Sequence, residues 1–270
     1  GLDPRAFLLC TDDCHSATLV SEGHMDRVVR HAISQGLPPI QALQMATLNT
    51  AEYFGVSREM GLIAPGRFAD LLLVEDLADF RPHLVIAKGQ VVAQHGKVTV
   101  EMPCPTHPNW ATHSVHLARP LTAEDFRLRT AYAPSTAAHV IGIIENQAPT
   151  RHLILTLPVE NGEVYADLNN DLAKVAIVER HRPSGRIQLG LVQGFGFHQP
   201  CAIASTVAHD SHQMIIVGTD DENMALAANA LAECGGGQIV VRRGEVIGKV
   251  ALPIAGLMSN QLAANGAQQA

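Results

Sequence analysis

The run Ala6-Phe7-Leu8-Leu9-Cys10-Thr11, followed at once by Asp12-Asp13, constrains this chain more than any other stretch. It is short, uncharged and apolar on both parities, which is the pattern of a strand buried on both faces of a parallel sheet. A polar loop follows over residues 14–22. A helix then fits residues 24–35, with Met25, Val28, Val29 and Ala32 at helical spacing and Gly36 beyond its end. Strand, acidic loop and helix make one βα unit of an α/β fold. A carboxylate at the C-terminal end of such a strand points into the loop face where α/β barrels build active sites. An aspartate placed there can bind a divalent metal and exchange a proton with water. Asp12 or Asp13 can equally cap the following loop or stand in solvent.

The rest of the chain divides by its punctuation. Pro38-Pro39 opens a helix over residues 40–50, which continues to Phe54 and stops at Gly55. A turn-rich stretch from Gly61 to Asp70 feeds a strand over 71–74. Strands over 84–87 and 91–93 follow, with turns at Lys88-Gly89 and His95-Gly96-Lys97. Residues 102–120, rich in Pro, His and Thr and holding the only tryptophan (Trp110), read as a linker. Beyond it, strands fit residues 140–144, 152–158, 174–178, 187–191, 202–205 and 214–218. A helix over 220–234 ends at Gly235-Gly236-Gly237, and a hairpin turns at Arg243-Gly244. The fold class expected is α/β plus α+β. Its parts are 1–55, a small β domain over 56–101, the linker 102–120, an α+β domain over 121–259, and a frayed tail over 260–270.

Composition excludes some functions. Apolar residues make up 47% of the 270 and aromatic residues only 4%, so the core must be built from Val, Leu, Ile and Ala. A net charge of −7 argues against nucleic acid and anionic membranes as partners and favours small soluble substrates. The five cysteines (Cys10, Cys14, Cys104, Cys201, Cys234) are scattered without a C-x-x-C pair, which fits reduced thiols and a cytoplasmic setting. No apolar run is long enough to cross a bilayer. The start at Gly1, almost directly on a strand-like run, reads as a truncation.

A second candidate site is Ala208-His209-Asp210-Ser211-His212. Two imidazoles and a carboxylate within four residues can ligate metal or move protons. An extended strand would point His209 one way and Asp210 and His212 the other, so only a loop could present all three together. A polar turn with its histidines bonded to backbone is the plainer reading. Gln193-Gly194-Phe195-Gly196-Phe197-His198 lacks the third glycine of a dinucleotide fingerprint. The zinc signature of cytidine-type deaminases is absent too. Other histidines, His139 and His152 among them, read as surface or structural groups.

Three motifs together resemble a known family. Leu8–Asp13 with Glu22-Gly23-His24-Met25-Asp26 resembles the last barrel strand and loop of adenine deaminases. Residues 61–71 resemble the return strand shared by many amidohydrolases, and residues 208–212 resemble the C-terminal domain of adenine deaminases. The resemblance implies a (βα)8 barrel of the amidohydrolase superfamily whose terminal βα unit is residues 1–55. It implies metal-dependent hydrolysis of adenine to hypoxanthine and ammonia by a divalent pair, Mn2+ or Fe2+. It places metal ligation and proton transfer on Asp12, with Asp13 as the other choice, and adds His209, Asp210 and His212 as active-site residues. The family's upstream H-x-H metal pair has no counterpart here, so this chain alone is expected to be inactive. Two other readings stay open: a dihydroorotase- or amidase-like activity, and a non-catalytic domain for ligand binding or self-association.

Overall fold

The computed structural model describes residues 3–103, 105–131 and 133–269, so Gly1, Leu2, Cys104, Tyr132 and Ala270 lie outside the described residues. The chain forms two compact units, one of residues 1–105 with 263–268, the other of residues 106–262.

The first unit begins with helices α1 (Ser16–Ser21), α2 (Met25–Ser34), α3 (Pro39–Ala46) and α4 (Leu48–Tyr53). Val29 of α2 and Ala42 of α3 are buried with Phe80, and Leu9, Met25, Ala32 and Leu43 pack against them. The single helix expected over residues 40–54 is broken at Thr47. There Oγ1 donates to the Leu43 carbonyl at 2.6 Å and the backbone leaves helical geometry (φ −130°, ψ −84°). A hydroxyl that bonds back four residues competes with the helix ladder. Strands β1 (Leu71–Val74), β2 (Pro82–Ala87), β3 (Gln90–Gln94) and β4 (Lys97–Val98) then form an antiparallel meander in that order.

The strand expected over residues 6–11 does not form. Pro4–Ala6 is a 3₁₀ turn, and no ladder includes the residues from Phe7 to Asp12. A parallel strand exists only through its neighbours' hydrogen bonds, and among the described residues no strand lies beside this one. Helical residues hold the segment instead. Leu9 N donates to the Met45 carbonyl at 3.3 Å. The amide of buried Asn49 donates to the carbonyls of Pro4 and Phe7, each at 3.0 Å. Much apolar surface of this unit faces solvent: Tyr53, Phe54 and Ile63 are 74%, 68% and 81% exposed, and Leu72 and Leu73 of β1 are exposed together.

The second unit holds α5 (Asn109–Thr112), β5 (Leu128–Arg129), β6 (Ser135–Gly142), β7 (Arg151–Pro158), β8 (Glu163–Val164), β9 (Leu172–Val178), β10 (Ile187–Gln193), β11 (Cys201–Ser205), β12 (Met214–Gly218), α6 (Asp221–Glu233), β13 (Gly237–Arg242) and β14 (Glu245–Ala251). Eight of the strands make one sheet in the order β14-β13-β11-β12-β9-β10-β6-β7. Only β10 and β6 pair in parallel; the other neighbours are antiparallel. Period-two alternation aims Ala176, Val178, Ala202, Ala204, Met214, Ile216, Ile239 and Val241 at α6, which answers with Met224, Ala227, Ala228 and Leu231. Asp220 caps α6 by accepting from Asn223 N at 2.8 Å, and Asp221 and Glu222 complement the helix dipole in its first turn.

The stretch read as a linker is partly built into this unit. Ala111 is buried, and Val115 and Leu117 pack on the core of α6 and the sheet, while Trp110 is exposed. The stretch read as a frayed tail contains α7 (Ala263–Gln269), whose Gly266 lies against Ser16 of the first unit. Ala and Gln favour helix strongly enough to outweigh a terminal position. The fold class shown is therefore mixed α/β with a large mixed sheet, and among the described residues the strand expected over residues 6–11 is not formed.

Candidate functional site

The first candidate lies where residues 8–13 leave the contacts with α3 and α4. Asp12 takes up a left-handed backbone (φ 53°), which aspartate tolerates better than most residues. Its Oδ1 accepts from Asp13 N at 2.8 Å, and both side chains are exposed. One carboxylate oxygen is thus tied to the local turn, and the carboxylate as a whole faces solvent. That suits a monodentate oxygen ligand for a hard divalent ion. The neighbouring acidic motif is structural. Asp26 accepts from His24 N at 2.9 Å and from the Arg30 guanidinium at 2.6 Å, and Arg30 also reaches the carbonyls of Phe80 and Glu22. Burial alone would raise the Asp26 carboxyl, but the bonds from Arg30 and the His24 amide outweigh it and hold the group below its usual range.

The second candidate is the loop between β11 and β12. Residues 208–212 form a tight turn in which His212 N donates to the Ala208 carbonyl at 2.6 Å, with His212 in a left-handed conformation (φ 48°). A loop, not a strand, carries the motif, so the alternation that would separate its side chains does not apply. The rings of His209 and His212 meet edge to face, 5.1 Å between centroids. His209 and Asp210 are exposed; the Nδ1 of half-buried His212 is buried and has no hydrogen-bond partner among the described residues. A buried nitrogen without a partner costs stability, so its presence calls for an explanation.

A residue that the sequence reading missed holds this loop. Arg180, 1% exposed, follows β9 and donates Nε to the His212 carbonyl at 2.6 Å. Its Nη1 donates to the Ser114 carbonyl and hydroxyl, and its Nη2 to the Ala255 carbonyl at 3.0 Å. The Arg180 amide donates to the Gln213 side chain, and His181 Nε2 contacts the Ser211 carbonyl at 3.0 Å. Five fixed donors let one guanidinium join segments distant in sequence, where a lysine could not. No ion pair of Arg180 occurs among the described residues, and burial pulls its pKa down. Nothing local in the sequence marks it, because its partners are backbone carbonyls.

The same unit also contains a polar cavity of about 590 Å³ at the start of α6. In it Lys174, almost wholly buried, pairs with Asp221 at 2.7 Å and lies 5.5 Å from the Tyr165 ring centre. Burial raises the Asp221 carboxyl, and the Lys174 ion pair opposes that rise. A paired ion at the edge of a core is a structural arrangement.

Asp12 and Asp13 belong to the first unit and His209, Asp210 and His212 to the second. Among the described residues no group of three or more His, Cys, Asp or Glu side chains is arranged to hold a metal ion. No helix among them is long and apolar enough to cross a membrane.

Comparison with known proteins bears on both candidates. Residues 147–270 match the adenine deaminase C-terminal domain, and residues 5–92 match the amidohydrolase family. An adenine deaminase of Ruegeria pomeroyi is 55% identical over 275 residues, covering 100% of this chain and 45% of the relative. One from Paracoccus denitrificans is 53% identical over 270 residues with the same coverage, and one from Moorella thermoacetica is 51% identical over 261 residues. The chain therefore spans about 45% of the length of the curated relatives it matches. A segment that matches the amidohydrolase family is thus followed by one that matches the adenine deaminase C-terminal domain, and along its whole length the chain is similar to proteins named adenine deaminase.

Proposed function

We propose that this chain works as part of an adenine deaminase, in which adenine and water give hypoxanthine and ammonia. The observation that carries the reading is 55% identity, across the whole chain, to a protein named adenine deaminase. The amidohydrolase match implies a divalent metal, and we take Mn2+ or Fe2+ as the ion. Asp12 fits one position in such a site as an exposed oxygen donor, but it cannot hold a metal pair alone. The remaining ligands would come from the length of the relatives that this chain does not span. When bound, the metal supplies the Lewis acidity that makes water nucleophilic near neutral pH.

The residues of this chain then act as follows. Asp12 takes a proton from the attacking water and carries it towards the amino group leaving C6 of the purine. Asp13 donates its amide to Asp12 Oδ1 and is the other choice for this role. In the second unit, His209, Asp210 and His212 are the residues on which activity would depend, and His212 Nδ1, buried and without a hydrogen-bond partner among the described residues, is the atom at which a bond would be gained. Arg180 positions that loop through the His212 carbonyl. We place the protein in the cytoplasm, where its thiols would stay reduced.

Ammonia release from adenine with Mn2+ present tests the reading, run on this chain beside a chain extended to the length of its relatives. Activity confined to the extended chain is the expected result. Turnover by the short chain would move the chemistry onto residues 208–212. Turnover of dihydroorotate or a hydantoin in place of adenine would assign a different amidohydrolase reaction.

A further inference from the structure

The eight-stranded sheet ends in the hairpin of β6 and β7, paired without interruption from Ser135–Pro158 to Gly142–Arg151. One face of the hairpin is buried through Val140 and Leu157, with Leu153 and Leu155 against them. The other face is open: Ile141 and Ile154 are 46% and 64% exposed. His139 stands opposite Ile154 and His152 opposite Ile141, so the two histidines occupy a cross-strand diagonal of the open face. Side chains of this length meet across such a diagonal. His139 Nδ1 and His152 Nε2 are 2.7 Å apart. The ring planes lie 15° from parallel with centroids 4.9 Å apart, far beyond the separation of the two nitrogens. The nitrogens thus lie between the centroids, and the rings meet edge to edge with their in-plane nitrogens converging.

We propose that His139 and His152 form a binding site for a divalent transition-metal ion on the open face of the sheet. In the free chain one proton bridges the two nitrogens. With metal, each ring carries its hydrogen on the outer nitrogen and turns its inner lone pair to the ion. Metal–imidazole bonds of about 2.0–2.1 Å in tetrahedral geometry require the nitrogens to part by roughly 0.6 Å. Exposed rings on a fixed backbone make that change through side-chain rotation alone. Because the hairpin register already brings the ligands together, the second imidazole binds as an intramolecular event. Two neutral nitrogen donors select Cu2+, Ni2+ or Zn2+ and reject Mg2+ and Ca2+. No third His, Cys, Asp or Glu completes the set among the described residues, so water fills the remaining positions and the ion exchanges readily. The site is independent of the deaminase reading, which rests on a carboxylate in the other unit.

The test is a Cu2+ titration of the ¹⁵N-labelled chain, with Zn2+ titration calorimetry of the wild type and three variants. Paramagnetic broadening is expected to centre on residues 139, 141, 152 and 154. Zn2+ affinity is expected to fall at least about tenfold in His139→Ala and in His152→Ala, since either change destroys the chelate. The double variant is expected to be no weaker than the singles by more than a small factor. His209→Ala/His212→Ala is expected to keep the site. Broadening centred on the exposed Cys10 or on residues 208–212 would overturn the proposal. So would a wild-type titration that His139→Ala and His152→Ala leave unchanged, or one with no binding, which would mean that the pair holds only a proton. The broadening map requires no variant, so a misfolded variant cannot hide the answer.

Discussion

At the residue scale, the two candidate loops were visible in the sequence because their chemistry is written in side chains. Asp12-Asp13 after an apolar run and two histidines around Asp210 cannot be mistaken for core. Arg180 was invisible for the opposite reason: it acts on the carbonyls of Ser114, Ala255 and His212, which no residue type announces. His139 and His152 were set aside as surface histidines, since a pairing thirteen positions apart becomes legible only with the register of the hairpin. The division of labour between the adjacent aspartates gives a prediction. In the extended enzyme, Asp12→Asn is expected to lower the rate of ammonia release by roughly 10³-fold, within the range seen for lost acid–base groups. Asp13→Asn is expected to cost less than about tenfold, because the proton transfer is assigned to Asp12. Equal losses in the two variants would remove the special role of Asp12.

At the element scale, legibility followed the source of each element's stability. Strands of the second unit were readable because they carry buried apolar residues at alternating positions, on α6 in β11 and β12 and on a separate cluster around Val140 and Leu157 in β6 and β7. The strand over residues 214–218 ends where the sequence placed it, and the helix over 220–234 differs by one residue at each end. The run over residues 6–11 was misread because its pattern describes a strand between two neighbours, and the pattern does not supply them. The helix break at Thr47 was missed because its cause is one hydroxyl bonding backward. Gly237, read only as the end of a helix, has a stricter duty as the first residue of β13. Its φ is +138°, and a Cβ there would stand 2.0 Å from the Val250 carbonyl oxygen. Gly237→Ala is therefore expected to destabilise the second unit by about 3 kcal/mol or more, combining backbone strain with overpacking. Chemical denaturation should show the midpoint shift; a shift equivalent to less than about 0.5 kcal/mol would mean that β14 gives way at little cost.

At the scale of the whole molecule, the two units differ in how completely they bury their apolar residues. The second has a continuous core between α6 and its sheet. The first has a small core around Val29, Ala42 and Phe80, and leaves Tyr53, Phe54, Ile63, Leu72 and Leu73 in water. That surface governs how the chain behaves in a tube. Exposed apolar side chains associate more as concentration rises and more strongly as salt rises. Light scattering of the purified chain is expected to grow with protein concentration and with added ammonium sulfate. Replacing Tyr53, Phe54 and Ile63 by Ser, Ser and Thr is expected to suppress that growth while leaving the circular dichroism of the sheet intact. A crystallographer would meet the same surface as a solubility ceiling, and an expression host would meet it as a standing demand on its chaperones.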